Sequence, residues 1–231
     1  MNKEDVQKAL AYLKANSKKR KFAQKIDLIV NVKDIDLKKP EEQVDLFVAL
    51  PRQRAKKTRI CALVGPELAE QAKSMDAIVP HDQFIQYAQD PKKVKKLATA
   101  CDFFIAQANI MPDVAKTFGR ILGPRNKMPN PKAGCVVPPN ANLAVLAEKL
   151  RNTVRILIRT QLNFKTVIGD ENSKEEDVVE NVMAIYSAIV HHLPGEEANI
   201  KSVMLKLTMS PPVTVSAIAR AEIGAEEGGK Q

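Results

Sequence analysis

Apolar residues recur at different spacings along this chain, and each spacing predicts a different kind of element. Every third or fourth residue is apolar between residues 3 and 15, which predicts an amphipathic helix. Residues 22–32 alternate between apolar and polar, so they are predicted to form a half-buried strand with Phe22 on its core face. A second alternating segment, residues 44–50, is predicted to be the antiparallel partner of this strand.

Short uninterrupted apolar runs replace the alternating pattern after residue 59. Runs at residues 60–64 and 103–106 are typical of strands that are covered on both faces. Helical patterns lie between and after these runs, with predicted helices at residues 67–74, 112–118 and 142–152. The alternation of buried strands with helices predicts an α/β domain with a parallel sheet.

The alternating pattern returns from residue 155 onward. Strands are predicted at residues 156–158, 164–168 and 200–207. Between the last two lies an amphipathic helix at residues 175–192, for which Asn172 or Ser173 is the predicted N-cap.

These changes of pattern favour two domains, which a length of 231 residues accommodates. One is an α+β domain built from both ends of the chain, residues 1–58 and 155–231. The other is an α/β domain of residues 59–154 inserted into the first. A single continuous α/β domain is the alternative.

A formal net charge of +9 directs attention to the partners of the chain. Such a charge attracts polyanions, so nucleic acid and an anionic membrane surface are the candidates. The apolar runs are far too short to span a membrane, and residues 1–14 lack the apolar core of a signal peptide. We therefore expect a cytosolic protein that binds nucleic acid and no membrane.

Basic residues gather in four segments, at residues 18–25, 52–59, 120–132 and 151–165. Three of the four belong to the two-ended domain or to its connections with the inserted one. Cations concentrated on one domain are typical of a protein that binds the phosphate backbone. Since the strands lack the aromatic pair found in RNA-recognition-motif sheets, phosphate, ribose and shape recognition are expected rather than base stacking.

Metal and cofactor chemistry is not expected from the sequence. Three cysteines lie far apart without a Cys-x-x-Cys pair, and the three histidines have no matching ligand spacing. Neither a Gly-x-Gly-x-x-Gly motif nor a Walker A motif is present, and Gly65-Pro66 lacks a glycine-rich phosphate cradle. A nucleotide-dependent enzyme built on the inserted domain is nevertheless a rival hypothesis, and a basic RNA chaperone without a preferred site is another.

Glycine and proline dominate residues 119–134, GRILGPRNKMPNPKAG, which contain three of each. Such residues fix a non-helical backbone, and Ile121, Leu122 and Met128 supply apolar anchors within it. We therefore expect a specific packed loop, with a structural role favoured over direct contact with RNA.

The loop also carries a resemblance to a known family. LGPRNKMPNPKAG, residues 122–134, resembles the signature of the ribosomal protein L1 family in its archaeal form. Four further motifs in the same order extend the resemblance over the whole chain: KFAQKIDLIVNV, VDLFVALP, DFFIAQA and KLTMSPP.

This resemblance implies a split β-α-β-like α+β domain with an inserted Rossmann-like three-layer α/β domain that has no nucleotide chemistry. It implies a structural protein of the large ribosomal subunit, not an enzyme, that is monomeric off the ribosome. The implied partners are the stalk region of large-subunit rRNA, the exit-site tRNA whose release it assists, and the mRNA of its own operon, which it represses.

The residues of the implied RNA-binding surface follow from the motifs. They are Lys21, Phe22, Gln24, Lys25, Lys165, Thr208, Met209 and Ser210. Thr208 and Ser210 are suited to bonding ribose or phosphate, and Met209 to packing on a base or sugar. The family usually has glycine where this chain has Ser210, and often where it has Asn126. Because asparagine tolerates a positive φ, Asn126 is expected to keep the loop intact.

Overall fold

In the computed structural model, residues 1–39, 41–54 and 57–215 are described, and Lys56 of the basic segment 52–59 lies outside them. The chain divides into two compact units. Unit 1 takes the chain up to Lys56 and again from Val154, and unit 2 takes Lys57–Thr153. The expected mixture of helices with strands, including a parallel sheet, is confirmed.

The helices and strands follow the chain in this order. They are α1 (Lys3–Ala15), β1 (Lys25–Val32), β2 (Val44–Ala49), β3 (Ile60–Val64), α2 (Ala69–Ala72), β4 (Ala77–Pro80), α3 (Phe84–Gln89), α4 (Pro91–Ala100), β5 (Phe103–Gln107), α5 (Met111–Leu122), β6 (Val136–Val137), α6 (Leu143–Arg151), β7 (Thr153–Ile158), β8 (Asn163–Asp170), α7 (Glu175–Val190), β9 (Ile200–Leu207) and β10 (Val213–Thr214). None of the helices within the described ranges is long and apolar enough to cross a membrane.

Unit 1 contains a four-stranded sheet in the order β10-β9-β1-β8, with each neighbouring pair antiparallel. The alternating residues Ile26, Leu28 and Val30 of β1 are buried in one apolar cluster with side chains of α1 and α7. Alternation along β1 therefore puts its apolar residues toward the helices and leaves the other face of the sheet for polar contacts.

The predicted pairing of the first two strands is wrong. β2 pairs with β7 in a separate two-stranded sheet, because β8 and β9 occupy both edges of β1. Arg155 of β7 holds Asp45 of β2 with two hydrogen bonds, of 2.9 Å from Nε and 2.8 Å from Nη2. Alternation identifies a strand but carries no information on which edge it meets.

The predicted N-cap of the helix at α7 is also wrong. The N-cap is Lys174, whose side chain makes no capping bond. The Ser173 hydroxyl instead donates to Asp170 Oδ1 at 2.8 Å and accepts from the Asp170 amide at 3.0 Å. Asn172 also donates its amide to Asp170 Oδ1, so these residues close the turn after β8.

Unit 2 contains a four-stranded sheet in the order β4-β3-β5-β6, whose neighbouring strands are parallel. Every residue of β3 is buried, as its uninterrupted apolar run predicts. Helices α3, α4 and α5 contribute Phe84, Val94 and Phe118 to a cluster with Leu63 of β3 and Phe104 of β5. The predicted helix at residues 67–74 is shorter than expected, since a 3-10 turn, Pro66–Leu68, precedes α2.

The non-helical backbone predicted for residues 119–134 is wrong at its start, because residues 119–122 belong to α5. The loop proper, residues 123–134, packs against α4. The ammonium group of Lys127 donates to the carbonyl oxygens of Ala98 at 2.8 Å and Cys101 at 2.7 Å, where α4 ends. The guanidinium of Arg125 donates to Thr99 Oγ1 at 3.0 Å. Cations suit the carbonyl end of a helix, so these bonds support the structural role expected of the loop. Asn126 has a φ of 55°, which asparagine tolerates.

Candidate nucleic-acid interface

The first and last predicted contact segments meet at one end of the unit 1 sheet. The antiparallel register of β1 and β9 pairs Ile26 with Leu207. Lys25, which precedes Ile26, therefore lies beside Thr208, which follows Leu207. The Lys25 amide donates to Thr208 Oγ1 at 2.9 Å, and the Thr208 hydroxyl donates to the Lys25 carbonyl at 3.4 Å. Segments 183 positions apart in sequence therefore form one continuous surface.

Gln24 connects the segments of this surface by hydrogen bonds from a buried position. Its side chain is buried, with only 1% of the residue exposed. Its Oε1 accepts the Met209 amide at 3.1 Å, and its Nε2 donates to the Lys18 carbonyl at 3.3 Å. Its carbonyl accepts the Glu171 amide at 2.8 Å. Gln24, predicted to contact RNA, therefore has a buried side chain that is hydrogen-bonded to the two segments carrying other predicted contact residues.

Two apolar side chains of the interface are exposed to solvent. Met209 is 58% exposed and Phe22 is 51% exposed. The expectation that Phe22 lies on the core face of a strand is wrong, because β1 begins only at Lys25. Exposed rings and thioethers beside cations provide packing surfaces for bases and sugars. Phe22 is therefore available to a ligand and is not required by the core.

Ser210 turns its hydroxyl back onto the turn that follows β9. The hydroxyl accepts the Leu207 amide at 2.9 Å and lies 3.0 Å from the Pro211 carbonyl, to which it donates. The Ser210 amide donates to the Leu207 carbonyl at 3.2 Å. A side chain used in this way closes the turn and stabilises the conformation in which Met209 is presented.

Lys165 lies on β8, opposite Ile29 in the register of β8 and β1. Its Nζ is 2.8 Å from Oδ2 of Asp27, whose side chain is only 8% exposed. Lys206 of β9 is the cross-strand neighbour of Asp27 on the other side. The face of the sheet that carries these residues therefore combines one buried carboxylate with two lysines.

A surface pocket of about 270 Å³ adjoins the turn after β9. It is lined by the segment that follows α1 and by the turn itself, including Asn16, Lys18, Arg20, Gln24, Met209 and Ser210. Two cations, two side-chain amides and an exposed thioether line it, a combination that suits a phosphate and its attached sugar.

Sequence reasoning did not single out Asp27, Lys206 or the pocket residue Asn16. The available signal for Asp27 was a single charged residue within the otherwise apolar stretch of residues 26–30. Within the described residues, no group of three or more His, Cys, Asp or Glu could hold a metal ion.

Comparison with known proteins finds a matching family and several similar archaeal proteins. Residues 13–211 match the model of a family described as "Ribosomal protein L1p/L10e family". A large ribosomal subunit protein uL1 of Methanothermococcus thermolithotrophicus is 38% identical over 93% of this chain and 99% of its own length. The uL1 protein of Nanoarchaeum equitans is 43% identical over 86% of this chain and 93% of its own. That of Thermococcus kodakarensis is 40% identical over 90% and 94%.

Proposed function

The chain belongs to the ribosomal protein L1p/L10e family, and on that premise we propose that it is a structural component of the large ribosomal subunit that binds rRNA through unit 1. The proposed contact surface consists of Lys21, Phe22, Lys25, Lys165, Thr208, Met209 and Ser210, with Gln24 positioned beneath it. The observation that carries the proposal is the joining of residues 24–25 to residues 208–209 by hydrogen bonds, since it assembles cations and exposed apolar side chains into one surface.

The recognition chemistry follows from these side chains. Lysines attract the phosphate backbone and supply affinity that does not depend on sequence. The hydroxyl of Thr208 lies at the surface, where it can bond ribose or phosphate oxygens in addition to the Lys25 backbone. Met209 and Phe22 add apolar contacts with bases or sugars. The phosphate backbone of a plain duplex does not present such surfaces. We therefore propose a structured RNA site, the stalk region near the exit site, as the target.

Three further roles belong to the same proposal. An RNA element of similar shape in the mRNA of its own operon would occupy the same surface, so that binding represses translation. On the ribosome, movement of the stalk with the bound protein would assist release of the deacylated exit-site tRNA. Off the ribosome the protein is proposed to be a cytoplasmic monomer.

The domain organisation is part of the proposal as well. Residues 1–58 and 155–231 are the RNA-binding domain, of split β-α-β type, and residues 59–154 are an inserted Rossmann-like three-layer domain. The antiparallel order β10-β9-β1-β8 and the parallel order β4-β3-β5-β6 support this description.

The rival hypothesis of a nucleotide-dependent enzyme does not fit a chain in this family of structural ribosomal proteins. The sheet of unit 2 gives a physical reason. In such sheets a nucleotide binds beyond the carboxyl ends of the strands, where the order of connection reverses, here between β3 and β5. Buried Gln107 fills that position: its Oε1 accepts the Gly65 amide at 3.0 Å, and its Nε2 donates to Glu67 at 2.7 Å. The Gly65 amide is therefore already hydrogen-bonded and not free for a phosphate, and the Glu67 carboxylate would repel one.

The proposal is tested by measuring the affinity of the full chain for a stalk-rRNA fragment, an operon-mRNA fragment and an unrelated RNA. Met209→Ala is expected to weaken stalk-RNA binding far more than Arg120→Ala, which removes a cation from unit 2. The logarithm of the binding constant should fall with the logarithm of salt by about 0.9 for each phosphate neutralised in duplex. Equal losses in the two variants would mean that the RNA surface is elsewhere.

Competition separates the remaining alternatives. If unrelated RNA displaces the stalk fragment at equal concentration, the chain is a general RNA chaperone rather than a site-specific binder. Chemical footprinting of large-subunit rRNA and of the operon mRNA with the same protein would then identify the bases covered in each. A binding constant that does not change with salt would contradict the electrostatic part of the proposal.

A further inference from the structure

A groove on unit 2, outside the RNA surface, has no role in the proposed function. It has a volume of about 440 Å³ and lies among α3, α4 and α5. Its apolar lining includes Ala88, Val94 and Ile121, and its basic lining consists of Lys95, Lys116 and Arg120.

The positive charges of the groove are only weakly balanced by neighbouring carboxylates. Neither Lys95 nor Arg120 forms an ion pair with a carboxylate among the residues that the structure describes. The Lys116 ammonium lies 3.9 Å from Asp113, and its side chain is 81% exposed, so this pair is largely screened by water. Three cations around one depression attract a ligand with several negative charges.

Apart from Tyr87 and Thr117, the lining between these cations is aliphatic, and α3 carries a further exposed apolar side chain. Ile85 of α3 is 71% exposed, although isoleucine is usually buried. It lies three residues before Ala88, so both occupy one face of the helix. An exposed apolar side chain on the helix face that also lines a groove with a basic rim is typical of a protein-binding site.

The aromatic residue of the groove argues against a nucleotide as the ligand. The ring of Tyr87 packs against Phe118, with the ring centres 5.7 Å apart and a tilt of 44°. It is therefore partly used by the core of unit 2 and does not form a free stacking platform for a base. The aliphatic residues of the lining, Ala88, Pro91, Val94 and Ile121, suit an aliphatic anchor instead.

We propose that this groove docks an acidic peptide segment of a protein partner. An aliphatic side chain of the peptide sits between α3, α4 and α5, and neighbouring carboxylates pair with Lys95, Lys116 and Arg120. The geometry is that of an amphipathic segment in a groove, in which buried apolar anchors supply affinity and rim charges supply orientation and specificity.

The test uses the full chain and a random peptide library displayed on phage as the probe. Enriched peptides are expected to carry an aliphatic residue flanked by Asp or Glu. Their affinities are then measured for the wild type, for Lys116→Glu with Arg120→Glu, and for Lys132→Glu with Lys149→Glu. The second pair makes the same change of charge on exposed residues of unit 2 that do not line the groove.

The groove double variant is expected to bind the enriched peptides about ten-fold more weakly, while the control double variant keeps its affinity. Thr117→Trp, which fills the groove without changing its charge, should weaken binding as well and covers the case in which the charge variant does not fold. Equal losses in both double variants would overturn the proposal, since they indicate general attraction to a basic surface. Enrichment without acidic residues, or displacement of the peptides by oligouridine at equal concentration, would also overturn it.

Discussion

The carboxylate of Asp27 lies 2.8 Å from the ammonium group of Lys165, across the neighbouring strands β1 and β8. The side chain of Asp27 is 8% exposed, whereas that of Lys165 is 54% exposed. The exposed side chain of Lys165 therefore covers a carboxylate that is almost fully buried. A buried carboxylate is costly unless it is paired, so Lys165 compensates for the burial of Asp27 as well as adding charge to the RNA surface.

This relationship predicts that the two side chains are coupled in the stability of unit 1. Lys165→Met is expected to lower the free energy of unfolding by about 1 kcal/mol, because it removes the ion-pair partner of a buried carboxylate. In an Asp27→Asn background the same substitution should cost less than about half as much. Denaturant unfolding of the four proteins measures the difference. If Lys165→Met costs the same in both backgrounds, the pair does not compensate for the burial of Asp27.

Gln24 predicts a loss of RNA affinity that acts through structure rather than contact. Gln24→Ala removes the acceptor of the Met209 amide and the donor to the Lys18 carbonyl. Leaving these groups without partners should destabilise the protein by about 1–3 kcal/mol and weaken RNA binding because the turn after β9 loosens. Hydrogen exchange of the Met209 amide should become faster in the free protein.

Gln83→Ala, at an exposed glutamine of unit 2, is the matched control and should change neither property. A Gln24→Ala variant that lost RNA affinity with unchanged stability and unchanged exchange at Met209 would indicate direct contact between Gln24 and RNA.

The parts of the fold that local pattern decides were predictable from sequence. The helix at residues 3–15 and the strand at residues 200–207 have the predicted bounds, because each carries a full period of its own apolar pattern. The partner of β2 was not predictable, because an alternating strand can pair at either edge of several others. The prediction for Phe22 was wrong because the alternating pattern starts three residues before β1 begins at Lys25.

The candidate site was predictable as residue types but not as an arrangement. The family motif supplied Met209 and Phe22, and the structure exposes both. The role of Gln24 depends on a hydrogen bond to Met209, 185 positions away, which no local pattern encodes. The pairing of Asp27 with Lys165 likewise depends on the register between β1 and β8.

The loop of unit 2 predicts a separation between stability and RNA binding. Lys127→Met removes the cation that bonds the last carbonyls of α4, so it should lower the stability of unit 2 by about 1–3 kcal/mol. Affinity for stalk RNA should remain at the wild-type value below the unfolding transition. Lys132→Met, at an exposed residue of the same loop, is the control and should leave both quantities unchanged. Loss of RNA affinity in folded Lys127→Met protein would assign the loop to the RNA surface.

Tyr186 predicts a dependence of stability on alkaline pH. Burial, together with the hydrogen bond of 2.8 Å that its hydroxyl donates to Glu197, raises the pKa of Tyr186 from its ordinary value of 10.0 to about 12. The unfolded chain therefore loses this proton at lower pH than the folded chain does. The contribution of Tyr186 to stability is fully present below pH 10 and is lost as the pH rises toward 12.

Tyr186→Phe removes the titrating group, so the difference in unfolding free energy between the wild type and this variant should shrink across that interval. Denaturant unfolding at a series of pH values measures it, with Tyr12→Phe, at an exposed tyrosine, as the matched control. Curves for the wild type and Tyr186→Phe that ran parallel from pH 9 to pH 12 would contradict the predicted retention of the proton in the folded state, since linkage requires the curves to converge wherever the two states differ in protonation.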